Sequence, residues 1–291
     1  MADKPKVYFT AEISPAGLAR AAQALGRTPS GQVAVKISTG EPGPRGHNWL
    51  DPALIADYVA AVGGTLVESN TAYPGRRQRA DQHYQVAVEH GYTAIASVDI
   101  QDAEGETSLP VPEGRHLKED IVGSHYGDYD FYVILSHFKG HGMGGFGGAV
   151  KNISIGLASS AGKRNIHSAG TSTTDFSGSG THEGFLESMA EAGRAVVSSR
   201  GDSILYINVM NNISVDCDCD GDAAPPDMAD IGILSSLDPV ALDKACVDLI
   251  YAAADGQSVI ERMESRQGLH TLEYGARIGL GSLEYDLVDL D

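Results

Sequence analysis

Short runs dense in β-branched and aromatic residues alternate along this chain with longer stretches in which apolar residues recur at helical spacing. The runs at 6–10, 32–38, 65–69, 94–99, 131–136, 204–209 and 231–235 predict strands. Several are apolar at every position, as in 131–135, which suits a strand buried on both faces of a parallel sheet. Between them, Leu18, Ala22 and Leu25 follow Ser14-Pro15, and Ile55, Tyr58, Val59 and Val62 follow Asp51-Pro52. Leu242, Cys246, Leu249 and Ile250 follow Asp238-Pro239 in the same way. Each pair supplies a capping side chain and a proline at the first helical position, so three helix starts are predicted. A further helix over 80–90 is stopped by Gly91, and Phe185, Met189, Ala192 and Val196 mark an amphipathic one over 181–199. This alternation predicts an α/β fold, a mainly parallel (mixed) sheet flanked by helices, in a single domain over residues 1–291. The Ser/Thr/Gly-rich stretch 168–180 is expected to be a mobile loop.

Charge narrows the partners. The 291 residues carry 39 acidic and 21 basic side chains, a formal net charge of −18. That excess argues against nucleic acid, whose phosphates want a basic face, and against an anionic membrane surface. No signal-peptide core opens the chain and no run approaches the roughly 20 apolar residues of a membrane span, so a cytoplasmic protein is expected. Three cysteines cannot build a disulfide framework, nor hold a four-thiolate cluster within one chain.

The charge is unevenly placed. Residues 131–174 contain no Asp or Glu, yet hold Lys139, Lys151, Lys163 and Arg164. Inside this window SHFKGHGMGGFGGAVKN, residues 136–152, directly follows a predicted strand. Function in open α/β sheets sits beyond the carboxyl ends of strands, where glycines admit a ligand to the backbone and free N–H groups bind anions. The expectation is a site for a small anionic molecule, with Gly144, Gly145, Gly147, Gly148 and Lys163 contacting it or a cofactor. His137, Lys139, His141 and Lys151 are the candidates for acid–base chemistry. The formal Gly140-x-Gly142-x-x-Gly145 dinucleotide fingerprint lacks an acid about 20 residues on and carries little weight.

A second segment, SVDCDCDGD at 214–222, places Cys217 and Cys219 two residues apart among four aspartates. Two thiolates at that spacing can chelate one soft or borderline metal, and His167 is the candidate third ligand, with His137 and His141 also available. A solvated acidic turn with two inert thiols reads equally well from the motif. Cys246, on the apolar face of the last capped helix, is expected in the core. Lys36 ends one predicted strand; Arg76 and Arg77 follow another and can clamp a carboxylate or phosphate, although a solvated basic turn is the favoured reading of the arginines. Arg45, His47 and Asp99 share the same expected sheet edge.

HFKGHGMGGFGGAVKNISIGLAS, the following GKRNIH, VDCDC and DIGILSSLDPVALDKACVDLI together resemble the domain of unknown function 362 family, known as iron–sulfur-centre proteins. GEPGPRGHNWLDPALIADYV and NTAYPGRRQRADQHYQVAVEHGY fit in the family's order. The resemblance implies an α/β core and a metal-associated function, but no known reaction. Many members carry a ferredoxin-like insertion after the GK–His segment. Here residues 168–200 hold a Ser/Gly loop and a helix without cysteine, so the ferredoxin clusters are expected to be absent. A fainter similarity is to the N-terminal half of nickel-pincer lactate racemases, which also use a His- and Gly-rich stretch ending in lysine.

Three functions follow. The favoured one is a metal-dependent enzyme on a small anionic substrate, with zinc or iron held by Cys217, Cys219 and histidine. A carrier is the alternative, in which an iron–sulfur cluster is shared through Cys217 and Cys219 of two chains in a homodimer. The third is a metal-free phosphate- or nucleotide-binding protein. The enzyme is favoured because basic, titratable and glycine residues gather at one sheet edge, whereas a carrier needs only ligands.

Overall fold

The computed structural model describes residues 3–43, 49–176 and 178–291; Arg45 and His47 lie outside the described residues. The strands are β1 (Lys6–Thr10), β2 (Val33–Lys36), β3 (Gly64–Glu68), β4 (Val98–Ile100), β5 (Glu106–Pro110) and β6 (Glu119–Gly123). They continue with β7 (Phe131–His137), β8 (Lys139–His141), β9 (Gly145–Gly147), β10 (Ile204–Met210), β11 (Gly232–Ser236) and β12 (Asp286–Asp289). The helices are α1 (Pro15–Ala24), α2 (Pro52–Ala61), α3 (Ala80–Glu89), α4 (Ala149–Lys151) and α5 (Ser160–His167). After them come α6 (His182–Arg200), α7 (Pro239–Ala252), α8 (Gln257–Ser265) and α9 (Leu269–Arg277).

Eight strands form one sheet in the order β12-β1-β11-β10-β7-β2-β3-β4. Only β11 runs against its neighbours, so the sheet is mostly parallel, as the all-apolar strands required. Alternate residues of β7 face opposite layers. Val133 and Leu135 pack with α1 and α2, through Leu18, Leu25, Ile55 and Val59. Tyr132 and Ile134 pack with Val150, Ile153 and α7. Cys246 is fully buried in that second layer, where the sequence placed it.

The capped helix starts behave as the sequence indicated. Ser14, Asp51 and Asp238 each accept a hydrogen bond from a backbone N–H of the first turn, ahead of a proline. The observed α3 and α6 match the helices expected there. Five strands were not foreseen: β5–β6 and β8–β9 are two-stranded hairpins, and β12 adds a short edge beside β1. The stretch expected as a loop after α5 is held by turns in which Ser168 Oγ donates to Ser172 O and Thr171 Oγ1 donates to Ser168 O.

Chain order matters most at the centre. The path steps outward from β2 to β3 to β4, then returns to lay β7 on the other side of β2. The carboxyl ends of β2 and β7 therefore diverge at a topological switch point, where a crevice opens in folds of this kind.

Candidate functional site

Lys36 ends β2, Glu68 ends β3 and His137 ends β7, so all three stand on the carboxyl edge beside the switch point. Asn152 bridges the divergence: its side-chain N–H groups reach Lys36 O and Leu135 O at 3.4 Å and Ser136 Oγ at 3.0 Å. Above this edge lies a cavity of about 610 Å³. Its lining includes Lys36, Arg77, Lys139, Lys151 and Lys163, with His137, His141, His167, Cys217 and Cys219.

The strand-end cluster is a fixed charge network. Lys36 Nζ lies 2.9 Å from Glu68 Oε2, and Arg77 Nε lies 2.8 Å from Glu41 Oε2. Thr39 N donates to Glu68 Oε1 at 2.8 Å. Burial works against the Glu68 carboxylate, but Lys36 and Arg77 hold it well below the usual range. Burial pushes His83 down to about 3, so it is neutral and meets Thr39 Oγ1 at 2.9 Å. Arg77 and Arg76 are adjacent yet separate: the Arg77 side chain is 5% exposed and lines the cavity. Arg76 is 45% exposed and forks onto Glu89 away from it.

A second network holds the cysteine segment. Asp218, between the cysteines, takes Lys139 Nζ at 2.6 Å and His137 Nδ1 at 3.2 Å. Burial opposes its charge, yet Lys139 and His137 bring it down to about 2. His137 Nε2 meets Asn211 O at 2.6 Å, so both of its ring nitrogens face oxygen. Gly140 N donates to Ser214 O, Glu41 N donates to Asp218 O, and Arg262 holds Val215 O and Asp216.

Within that segment Cys217 and Cys219 are joined by a disulfide, with their Cα atoms 5.2 Å apart. The sequence argued only against a disulfide framework and treated these sulfurs as thiols; the structure corrects that, because a turn closed by Asp220 N to Cys217 O brings the pair together. One ring nitrogen of His141 and both sulfurs lie within 4.8 Å of one another. His167 lines the same cavity but falls outside that group; its Nδ1 meets Lys163 O at 2.7 Å and its ring stacks on Phe185.

Sulfur and imidazole suit a borderline cation such as zinc, but a disulfide supplies no thiolates. His141 Nδ1 accepts N–H bonds from Gly144 at 2.8 Å and Met143 at 3.2 Å, which places the proton of the neutral ring on Nε2. Burial, then Lys151, pushes His141 well below its ordinary value, so the ring is neutral. These residues therefore fit a cation in one state only: the disulfide reduced and the 141–144 turn rearranged to free a ring nitrogen.

The glycine-rich stretch folds as the β8–β9 hairpin running into α4. Gly147 and Gly148 line the cavity, whereas Gly144 and Gly145 do not. The first helical N–H groups are not free for an anion, because Asp243 accepts from Ala149 N at 2.7 Å and Val150 N at 2.9 Å. A Cβ on Gly148 would strike that carboxylate at 2.3 Å, so glycine permits the cap. After Lys151 the helix widens into a π turn, Asn152–Gly156, in which Ser154 Oγ donates back to Val150 O.

The Lys151 ammonium meets no hydrogen-bond acceptor or carboxylate among the described residues, unlike Lys36, Lys139 and Lys163 in the same cavity. Burial, then Lys36, lowers it to about 8. Lys163 is likewise lowered to about 8 by burial, but donates to Ala158 O and Ser69 O. In a second acid–histidine group, Glu183, Glu187 and His270, the buried Glu187 is already paired with Arg115, His116, His270 and Arg277.

Among known proteins, a family model described as domain of unknown function (DUF362) matches residues 33–248, from β2 into α7. No curated protein matches the chain in sequence. Solved structures that resemble it include the lactate racemase apoprotein from Thermoanaerobacterium thermosaccharolyticum, at 14% identity and a TM-score of 0.44. That match covers 72% of this chain and 51% of that one. A protein from Thermotoga maritima matches at 11% identity and a TM-score of 0.43, covering 90% of this chain and 58% of that one. The chain thus spans between half and three fifths of the length of these two structures. Among the described residues no helix is long and apolar enough to cross a membrane.

Proposed function

Taking as premise that this chain belongs to the domain of unknown function 362 family, we propose that its switch-point cavity is an enzyme site for a small anion beside a thiolate-bound cation. The observation that carries the reading is Lys151, a cavity lysine without a hydrogen-bond or ion-pair partner among the described residues, sharing one cavity with the His141–Cys217–Cys219 group. An unpartnered cation lining a cavity attracts an anion, and a lysine brought down to about 8 can give or take a proton near neutral pH.

Each residue then has a task. Lys151 and Lys163 supply positive charge without a carboxylate of their own to neutralise it. Lys36, Arg77 and Glu68 set the field at the floor and keep the edge rigid. His137 and Lys139 are positioning residues that hold Asp218, and through it the cysteines. With Nδ1 facing Lys163 O, His167 keeps its lone pair on Nε2, and burial, which brings it down to about 4, keeps the ring neutral as a hydrogen-bond acceptor toward the anion. Cys217, Cys219 and His141 would hold zinc or iron, which would supply Lewis acidity toward a substrate oxygen.

The test is metal and acid-labile sulfide per chain in reduced protein handled without oxygen, beside Cys217→Ala/Cys219→Ala. About one zinc or iron per chain, without sulfide and lost in the variant, supports the reading. Iron with sulfide transfers support to a cluster carrier bridging a homodimer. No metal in reduced protein supplied with zinc and iron overturns the cation and leaves the anion site to stand on Lys151.

A further inference from the structure

We propose that Cys217 and Cys219 form a reversible dithiol–disulfide couple, reduced by small thiols entering the cavity, whose oxidised form bars a cation from the site.

A structural staple is a poor account of this bond. The constraint a disulfide places on the unfolded chain grows with the loop it closes, and here one residue separates the partners. The segment is also anchored without it. Asp218 is locked between Lys139 and His137, Gly140 N bonds Ser214 O, and Arg262 bonds Val215 O. Losing the bond therefore leaves the segment anchored, while the two sulfurs part to non-bonded distance within it.

Access and chemistry favour turnover of the bond. Both cysteines line the cavity, so a low-molecular-weight thiol can reach them, whereas Cys246 is sealed in the core. Cys219 N donates to Cys217 Sγ at 3.2 Å. Attack of a thiolate on Cys219 then expels Cys217 as a thiolate that already receives a hydrogen bond. A second thiol resolves the mixed disulfide. In balance, the Cys217–Cys219 bond breaks, one bond forms between two molecules of the small thiol, and two electrons and two protons pass to the cysteines.

The consequence for the cation rests on the function proposed above. Only the dithiol form offers two thiolates beside His141, so oxidation and cation binding exclude one another.

The experiment uses the full chain carrying Cys246→Ser, equilibrated in glutathione buffers from reducing to oxidising, then quenched with a maleimide and weighed. The expected result is a reversible step between no thiols and two, in a single transition. Zinc titration at each end should show binding to the reduced form alone. In Cys217→Ser/Cys246→Ser, one thiol should be labelled at the reducing end. A pair that stays a disulfide at the most reducing poise, or never forms one at the most oxidising, overturns the couple. Equal zinc binding by both forms overturns the exclusion. Two thiols with no zinc bound supports the couple and sinks the cation reading, so the two claims fail separately.

Discussion

Lys139 places its ammonium 2.6 Å from the carboxylate of Asp218, tying the strand that leaves the sheet to the residue between the two cysteines. His137 takes the other oxygen at 3.2 Å, so one buried acid answers two basic groups. Removing that acid leaves both without their anion. Asp218→Ala should cost about 3–5 kcal/mol, as measured by chemical denaturation at pH 7. The folded carboxyl titrates near 2, below its unfolded value, so its stabilisation is present above about pH 4 and lost as pH falls toward 2. The gap between wild type and Asp218→Asn should close over that window; a gap that stays constant down to pH 2 contradicts the role.

Lys151 should behave oppositely. A lysine whose folded value is lowered to about 8 disfavours folding most fully below pH 8, and the penalty fades as pH rises through the unfolded value. Lys151→Met should therefore stabilise the protein by about 1–3 kcal/mol at pH 7 and by little above pH 10.5. The same variant should lose at least tenfold in affinity for phosphate or oxalate, read as a ligand-induced shift in melting temperature. A destabilised variant that binds these anions as wild type does would contradict both roles.

Asp120 offers an internal control far from the cysteines in sequence. It is buried on β6, neither carboxyl oxygen has a hydrogen-bond partner among the described residues, and burial raises it to about 8. The folded chain thus keeps a proton that the unfolded chain releases above about pH 4, so stability falls as pH rises toward 8. Asp120→Asn should flatten that decline, matching wild type near pH 4 and exceeding it at pH 8. Denaturation curves at several pH values check this.

Asp243 is the support behind the lysine. It caps Ala149 and Val150 and also takes Asn208 Nδ2 at 2.7 Å. Asp243→Ala should cost about 2 kcal/mol and weaken anion binding, because the turn that presents Lys151 loses its anchor. Unchanged binding would show that Lys151 is positioned without the cap.

The elements legible in the sequence were those whose signal is local. Ser14-Pro15, Asp51-Pro52 and Asp238-Pro239 announce helices within a few residues, and 131–135 reads as a buried strand from its own apolar run. The β5–β6 hairpin was not legible, because Glu106, Thr107 and Ser108 are exposed and carry no alternation. The site divided in the same way. The acid-free window and the two cysteines marked its parts, and Lys36, Arg77 and Lys151 do line one cavity. Which histidine meets the sulfurs could not be read, since β8 returns across the cysteine segment through the long-range bond from Gly140 to Ser214. That contact brings in His141, whereas His167 lies one helix away against Phe185. Glu68, His83 and Asp218 were missed as partners because lone acids and histidines look alike until the fold pairs them.

The measurement that bears most directly on the account is the absorption spectrum of reduced protein reconstituted with cobalt(II), compared with His141→Ala and His167→Ala. The account expects thiolate-to-cobalt charge-transfer bands and the intense visible bands of tetrahedral cobalt, changed by His141→Ala and kept in His167→Ala. Absence of charge-transfer bands in reduced wild type with two free cavity thiols, or a spectrum altered by His167→Ala alone, would contradict it.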